Sequence, residues 1–519
     1  MTNTTSGDGF ATISVAAILA ESARRSPHRT ALIVGEDRIS YGDLWRQTRE
    51  YAGALRARGI GPGDAVAVLI PNVPDFARVY YAVLSLGAIV VPVHALLKAR
   101  EIEYVLQDSG ARLMICADAL LGEGAAGAAA TGVDVLTVMS PEGGDLPRLE
   151  AEAAAAEPIR SYEPCRPSDT ATILYTSGTT GKPKGALGTH FALVEQTSVI
   201  LTSVMDFKPG DVLFGGLPLF HTFGQTVVLN AGLRAGATVV LLPRFTGQGA
   251  LELVAKHKVN VFVGVPTMYV ALLEAAKSTS VRPADLRYGI SGGASLPLAV
   301  MDRFREVFGI EIHEGYGLTE TSPVAAFNHV GMTPRPGTIG IPIWGVDIEI
   351  ARAETVESIE LLPNGELGEL VVRGHLLMKG YLNRPEATAE AVVDGWFRTG
   401  DLGTKDDDGY LTIVDRKKDM IIRNGYNVYP REVEELLLTH PQVVSAAVYG
   451  VPHEVHGQEV AAAIVLDAGA TVTEAELVEF ASSQLAAYKY PRIIRLLSEL
   501  PLGPSGKILK RELAADPAV

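Results

Sequence analysis

Apolar residues fall into short blocks whose period alternates between that of a helix and that of a strand, with Gly or Pro closing most blocks. From Thr12 to about Ala117, amphipathic helical stretches alternate with apolar runs at Ala65 to Ile70, Ala88 to Val93 and Arg112 to Cys116, an α/β layout. Pro74 to Ser85 reads as the helix between the first two of these strands. Ala119 to Gly132 and Ala151 to Ala156 are Ala/Gly-rich and read as surface loops or short helices. A strand is expected at Ala171 to Tyr175, and Thr189 is placed to cap a helix running towards Met205. Strand-like runs recur at Val212 to Gly215, Thr238 to Leu242 and Val259 to Val265. From Thr338 to about Val414, turn glycines separate short strands into a small sheet or barrel. The charge cluster Asp415-Arg-Lys-Lys-Asp419 then marks a boundary to a compact α+β unit, with strands at Ala446 to Tyr449 and Val460 to Val465. Thr473-Glu-Ala-Glu476 fits a capping box opening a helix to about Ala486. The expected organisation is a large N-terminal domain of α/β subdomains plus a small β-rich subdomain, residues 1–416, joined to a small α+β C-terminal domain, residues 417–519.

The 519 residues exceed what one hydrophobic core serves. A formal charge of −15 argues against a nucleic-acid partner or an anionic membrane, so any anionic ligand needs a local basic patch. Cys116 and Cys165 have neither disulfide-framework nor zinc-site spacing, which fits a reducing cytoplasm. The first ten residues lack the charged and apolar regions of a signal peptide. Val79 to Leu97 is uncharged and nearly long enough to span a bilayer. Gly87 and Pro92 divide it, so a buried helix–strand unit is expected and no transmembrane segment.

The most distinctive stretch is Thr176-Ser-Gly-Thr-Thr-Gly-Lys-Pro-Lys-Gly185. Its glycines let backbone approach an anion, and its hydroxyls and two lysines supply donors and charge for phosphoryl oxygens. A Walker A loop is excluded, because two residues separate Gly178 from Gly181 and Lys182 meets Pro183. A polar surface loop is the plain alternative. The string resembles the signature of the adenylate-forming superfamily, which includes acyl-CoA synthetases, aryl-CoA ligases, luciferases and peptide-synthetase adenylation domains. Further stretches resemble that superfamily in the expected order, from about residue 12 to about residue 513.

The resemblance implies a nucleotide site at Thr176, Ser177, Gly178, Thr179, Thr180, Gly181, Lys182 and Lys184. Ser291-Gly292-Gly293-Ala294 and Glu314-Gly315-Tyr316-Gly317-Leu318-Thr319-Glu320 match the adenine-binding segments, where Tyr316 offers a stacking face. Thr319 inherits contact with the α-phosphate, and Glu320 with Thr176 inherits Mg²⁺. Trp396-Phe-Arg-Thr-Gly-Asp401 places Asp401 on the ribose hydroxyls, with Arg416 as a second ribose contact and Lys418 at the hinge between the domains. Lys507, in Pro504-Ser-Gly-Lys-Ile508, matches the catalytic lysine that bridges the substrate carboxylate and α-phosphate. Without the resemblance, Glu320 reads as a solvated loop acid, Asp415 to Asp419 as a solvated charge run and Lys507 as a surface lysine.

The segments holding Phe220, His221, Phe223 and Gly224, and Val265 with Pro266, match the walls of the acyl pocket, with Gly315 beside them. His221 is implied at the carboxyl end of the substrate; alone it reads as a packed core histidine. Malonyl-CoA synthetases carry Arg where Gly315 stands, so a small dicarboxylate lacks its partner here. Gly425, Tyr426 and Asn427 match the CoA tunnel. The implied activity is ATP- and Mg²⁺-dependent activation of a medium- or long-chain fatty acid and its transfer to CoA. An aryl-CoA ligase or a carrier-protein-loading ligase is the alternative within the superfamily. Outside it, Gly289-Ile-Ser-Gly-Gly293 matches the nucleophile elbow of a serine hydrolase using Ser291. Nothing in the sequence decides between a monomer and a homodimer.

Overall fold

A computed structural model describes residues 11–176, 182–503 and 506–515. Among the described residues, the strands form four sheets. Ser177, Gly178, Thr179, Thr180 and Gly181 lie outside the described residues.

The largest sheet has nine strands, with a parallel run through Ile312–Gly317, Tyr288–Ser291, Val261–Gly264, Val212–Gly215, Thr238–Leu241 and Thr30–Val34. A second sheet has six strands: Asp134–Val138, Leu113–Ala117, Ala65–Leu69, Ile89–Pro92 and Thr170–Thr176 are parallel, and Lys184–Thr189 returns antiparallel. These strands are Val/Ile-rich and buried, as parallel strands covered on both faces must be. One core cluster unites residues of both sheets with helix Pro74–Ser85. That helix explains the membrane-like composition of its region: Phe76, Tyr80 and Tyr81 are fully buried, and Asn230 bonds both tyrosine hydroxyls, at 2.8 Å to Tyr81 and 3.1 Å to Tyr80. Among the described residues, no helix is long and apolar enough to cross a membrane.

Thr189 caps its helix by accepting the Ala192 N–H at 3.1 Å. The helix His190–Val199 then widens into a π-helical turn, Ile200–Val204, and a second π segment spans Gly224–Asn230; the apolar spacing revealed neither. The small sheet begins later than the turn glycines suggest. Ile341–Pro342 pairs with Val324–Phe327 and so extends the nine-stranded sheet, leaving Val346–Ala351, Gly368–Gly374, Val392–Val393, Trp396–Lys405 and Leu411–Arg416 as the β-rich unit. The C-terminal sheet pairs Val443–His453 with Gly457–Leu466, which takes Ile493–Leu497 in parallel, beneath helices Pro430–Leu437 and Glu474–Ser482. The capping box at Thr473 is present, but its helix stops at Ser482.

Candidate active site

Four parallel strands of the large sheet end together, and the turns beyond their carboxyl ends carry His221, Val265, Gly292 with Gly293, and Leu318 with Thr319. This crevice at strand carboxyl ends is where open α/β sheets bind ligands. It spans about 510 Å³, counting space open to solvent, and is lined by Gly292, Gly293, Tyr316 to Thr319, Met205, Phe223, Val324 and Phe327. Lys507 reaches into it from the C-terminal unit. A smaller adjoining recess joins Lys507 to Leu217, His221, Val265 and Gly293.

Glycine is required here for space. A Cβ on Gly317 would lie 1.7 Å from the Pro323 carbonyl oxygen, and one on Gly224 would lie 2.3 Å from that of Pro218. A Cβ on Gly315 would fall 2.4 Å from Phe327 Cδ2, so the Phe327 ring occupies the space a side chain at 315 would need. Gly293 adopts φ +82°, where L side chains are strained.

The polar residues assemble in pairs. Tyr316 donates its hydroxyl to Asp401 Oδ2 at 2.5 Å, and Arg416 Nε lies 3.2 Å from Asp401 Oδ1. Tyr316 is thereby tied to the Asp401 carboxylate as well as presenting a ring. Glu320 is buried and accepts the Tyr381 hydroxyl at 2.8 Å. Thr176 Oγ1 donates to the Lys184 carbonyl at 3.4 Å, and the strand carrying Lys184 packs against the turn Thr319–Thr321. Lys182 and Lys184 stand over the rings of Tyr104 and Tyr381, at 5.3 and 5.1 Å.

A carboxylate and a hydroxyl on elements that both pack against the strand Lys184–Thr189 are a hard-cation donor set. One carboxylate suits Mg²⁺, which keeps waters and phosphate oxygens as its remaining ligands. Glu320 and Thr176 therefore fit as the residues that would hold it.

Burial pulls the Lys507 ammonium down to about 8; Arg416 and Lys418 act in the same direction, against Asp401 and Glu320. Burial, with Lys507 and His94 nearby, pulls the His221 imidazole down to about 4, so it is neutral at physiological pH. His221 Nδ1 accepts the Phe223 N–H at 3.3 Å, which assigns its proton to Nε2.

Other expected residues fall outside the crevice. Glu314 turns into the protein: one oxygen accepts the Leu296 N–H at 3.1 Å, the other has no partner among the described residues, and burial pushes its carboxyl up to about 7. Ala294 is exposed, and Pro266 opens helix Pro266–Lys277. Phe220 packs on the His94 ring at 4.2 Å. Lys418 lies in the turn after strand Leu411–Arg416. Gly425 turns a hairpin in the C-terminal unit and Tyr426 and Asn427 begin its second strand, where Tyr426 is exposed and stacks on Tyr488 at 4.8 Å. Ser291 does line the crevice, but among the described residues its hydroxyl is buried without a partner, and no imidazole of theirs activates it.

Sequence reasoning missed Asn72. Its amide donates to the carbonyls of Gly215 (3.2 Å) and Leu217 (2.6 Å), and its oxygen accepts the Leu219 N–H (2.9 Å), fixing the segment that carries His221. It missed Tyr381 as well. No local motif surrounds either residue.

The AMP-binding enzyme family matches residues 19–382, and the AMP-binding enzyme C-terminal domain matches residues 432–507. The chain belongs to this family. As an adenylate-forming acid–thiol ligase, it takes ATP and CoA as co-substrates. It is 36% identical over 524 residues to a long-chain-fatty-acid–CoA ligase of Bacillus subtilis, covering 96% of this chain and 93% of that one. It is 37% identical over 493 residues to a feruloyl-CoA synthase of an Amycolatopsis species, covering 95% and 96%. The structure of ATP-bound MatB from Rhodopseudomonas palustris superposes with a TM-score of 0.89 at 33% identity, covering 97% of this chain and 99% of that one.

Proposed function

We propose that this acyl-CoA synthetase activates an apolar monocarboxylic acid of medium length, using the crevice for adenylation and Lys507 as the catalytic cation. The observation that carries the reading is the Lys507 ammonium, buried beside Gly293 and His221 in the crevice.

A carboxylic acid with a pKa near ~4 is already ionised at neutral pH, so its attack on the α-phosphorus needs no general base. Lys507 stabilises the charge that develops there, and Asp401 accepts the ribose hydroxyls while Tyr316 and Arg416 hold it in place. Neutral His221 presents Nε2–H to the carboxyl end of the acid. Mg²⁺, when bound at Glu320 and Thr176, neutralises phosphate charge. In the second half-reaction the CoA thiol attacks the acyl carbon and AMP leaves, with Gly425 to Asn427 lining the thiol's approach after the C-terminal unit, residues 417–519, turns about Lys418.

Size supports the medium-length acid. Met205, Val324 and Phe327 line the apolar side of the crevice, and the Phe327 ring already fills the space beside Gly315, which favours a medium-length tail over a long one. A second reading, an aryl acid, is favoured by Phe223, whose ring packs over Gly292, 3.2 Å from a Cβ built there, and gives the crevice an aromatic wall. Carboxylate-dependent exchange of labelled pyrophosphate into ATP, compared for octanoate, palmitate, cinnamate and malonate, separates these readings. Octanoate should support the fastest exchange and malonate none. Dominant palmitate exchange overturns the size argument, and dominant cinnamate exchange selects the aryl acid. Silence with all four overturns the proposal.

A further inference from the structure

Helix Pro266–Lys277 touches the C-terminal unit at both ends. In its first turn, Thr267 donates its hydroxyl to the carbonyl of Gly506, the neighbour of Lys507, at 3.3 Å. Gly506 has φ +78°, and a Cβ there would lie 2.9 Å from Val265 Cγ2 and 3.1 Å from Thr267 Oγ1, so only glycine permits this approach. At its last residue, Lys277 Nζ bonds both carboxylate oxygens of Asp467, at 3.0 and 2.9 Å. Thr267 and Lys277 belong to the region matched by the AMP-binding enzyme family, Gly506 and Asp467 to that matched by its C-terminal domain. The two contacts are ten positions apart on the helix, about 15 Å along a rigid element.

We infer that helix Pro266–Lys277 is a docking rail for the C-terminal unit, and that the Lys277–Asp467 pair is a positioning contact that aligns Lys507 with the crevice without touching substrate. Near the hinge, Arg431 also meets the large domain, through the Asp415 carboxylate at 3.1 Å and the Ile413 carbonyl at 2.5 Å, so a unit held there and at Gly506 alone can still turn about the line joining those contacts. A second contact on the helix, about 15 Å away, removes that freedom. The distal pair is well placed for this role. Lys277 ends its helix, where a cation is favoured, and Glu274 also faces it at 2.8 Å. Asp467 follows strand Gly457–Leu466 in the C-terminal sheet, accepts the Ala468 N–H at 2.8 Å and faces Arg303 as well as Lys277. Both side chains are about one-third exposed, 34% for Lys277 and 35% for Asp467, so water can replace the contact when the unit leaves. Such a pair biases an orientation without locking it.

The inference rests on the proposed role of Lys507 and is tested by Asp467→Lys, alone and with Lys277→Asp. Energy transfer between a dye on each unit of the ATP-bound protein reports the docked fraction without needing an acid. Pyrophosphate exchange with octanoate reports adenylation, and thioester formation from supplied octanoyl-adenylate and CoA reports the other half-reaction. Asp467→Lys should lower the docked-to-undocked ratio and exchange by roughly two- to fivefold, the range of a partly exposed ion pair, and leave thioester formation undiminished. The double charge swap should restore most of the docked fraction. An unchanged docked fraction in Asp467→Lys, failure of the swap to restore it, or equal losses in both half-reactions overturns the rail. Lys507→Ala serves as the separate control: exchange that survives it refutes the catalytic role of Lys507 while the energy-transfer result still decides the rail.

Discussion

Raising the pH through 8 should switch off adenylation by removing the proton from Lys507. Its ammonium falls from an ordinary 10.5 to about 8, chiefly through burial, with Arg416 and Lys418 adding repulsion. That displacement corresponds to about 3 kcal/mol against the charged form in the docked site. The cation is mostly held at pH 7, half lost at about pH 8 and mostly lost by pH 9, whereas an undocked, solvated lysine keeps its proton to near 10.5. About nine-tenths of the free enzyme is charged at pH 7 and about one-tenth at pH 9, so kcat/KM for ATP in pyrophosphate exchange should fall roughly tenfold across that interval. The kcat profile should break at higher pH, because bound triphosphate favours the cation. Lys507→Ala should cost about 10²- to 10³-fold in kcat, the scale of a lost charge-stabilising donor. Lys507→Arg, whose guanidinium does not titrate in this range, should lose the alkaline limb whatever its absolute rate. A flat kcat/KM for ATP to pH 9.5, or the same decline in Lys507→Arg, refutes the reasoning.

Two further predictions concern the walls of the site. Burial raises the Glu314 carboxyl from 4.5 to about 7, with Arg431 opposing, so the folded protein holds a proton that the unfolded chain has released between those values. Stability from this group falls as pH rises through that window and stays lost above it; Glu314→Gln should raise Tm at pH 8 by a few degrees and flatten its pH dependence from 5 to 7, and a lower Tm at pH 8 would contradict this. Gly315→Ala sets a methyl 2.4 Å from Phe327 Cδ2 and should cost about 1–3 kcal/mol by overpacking. Denaturant unfolding of Gly315→Ala/Phe327→Leu should recover most of that loss, and strict additivity would show that Phe327 does not fill the space.

What can be read from the sequence is what consecutive residues encode. The alternation of strands and helices, the cap at Thr189 and the box at Thr473 depend on neighbours within a few positions, and all three are present. The π turns at Ile200–Val204 and Gly224–Asn230 escaped because one extra residue per turn barely alters an apolar period. Side-chain direction escaped too. Glu314 stands in an adenine-segment string, yet its carboxyl points to Leu296, a choice made by packing behind the strand. Gly315 tells the sequence reader only that a second carboxylate lacks its charge partner; that Phe327, twelve positions on across an antiparallel pair, fills the space beside it comes from the fold. Asn72 braces His221 from 149 positions away and Asp467 meets Lys277 across 190. Contacts at such separations leave no spacing to read.

The depressed Lys507 ammonium and the rail bear on one equilibrium from opposite sides. Burying an ammonium among Arg416 and Lys418 opposes docking, while Thr267 to Gly506 and Lys277 to Asp467 favour it. The opposing term is about 3 kcal/mol, larger than one exposed ion pair supplies, so docking also draws on other contacts, among them Arg431 with Asp415 and Ile413. On the proposed reading, the nucleotide's phosphates tip that balance: their charge pairs with Lys507 and removes most of the burial cost. Once adenylation is complete and pyrophosphate departs, much of that negative charge leaves with it. The cost of the buried ammonium then returns, and the C-terminal unit is released at the step where the hairpin Gly425 to Asn427 is needed for the thiol. A lysine carried on a separate unit and desolvated only when docked couples domain orientation to the charge remaining in the crevice.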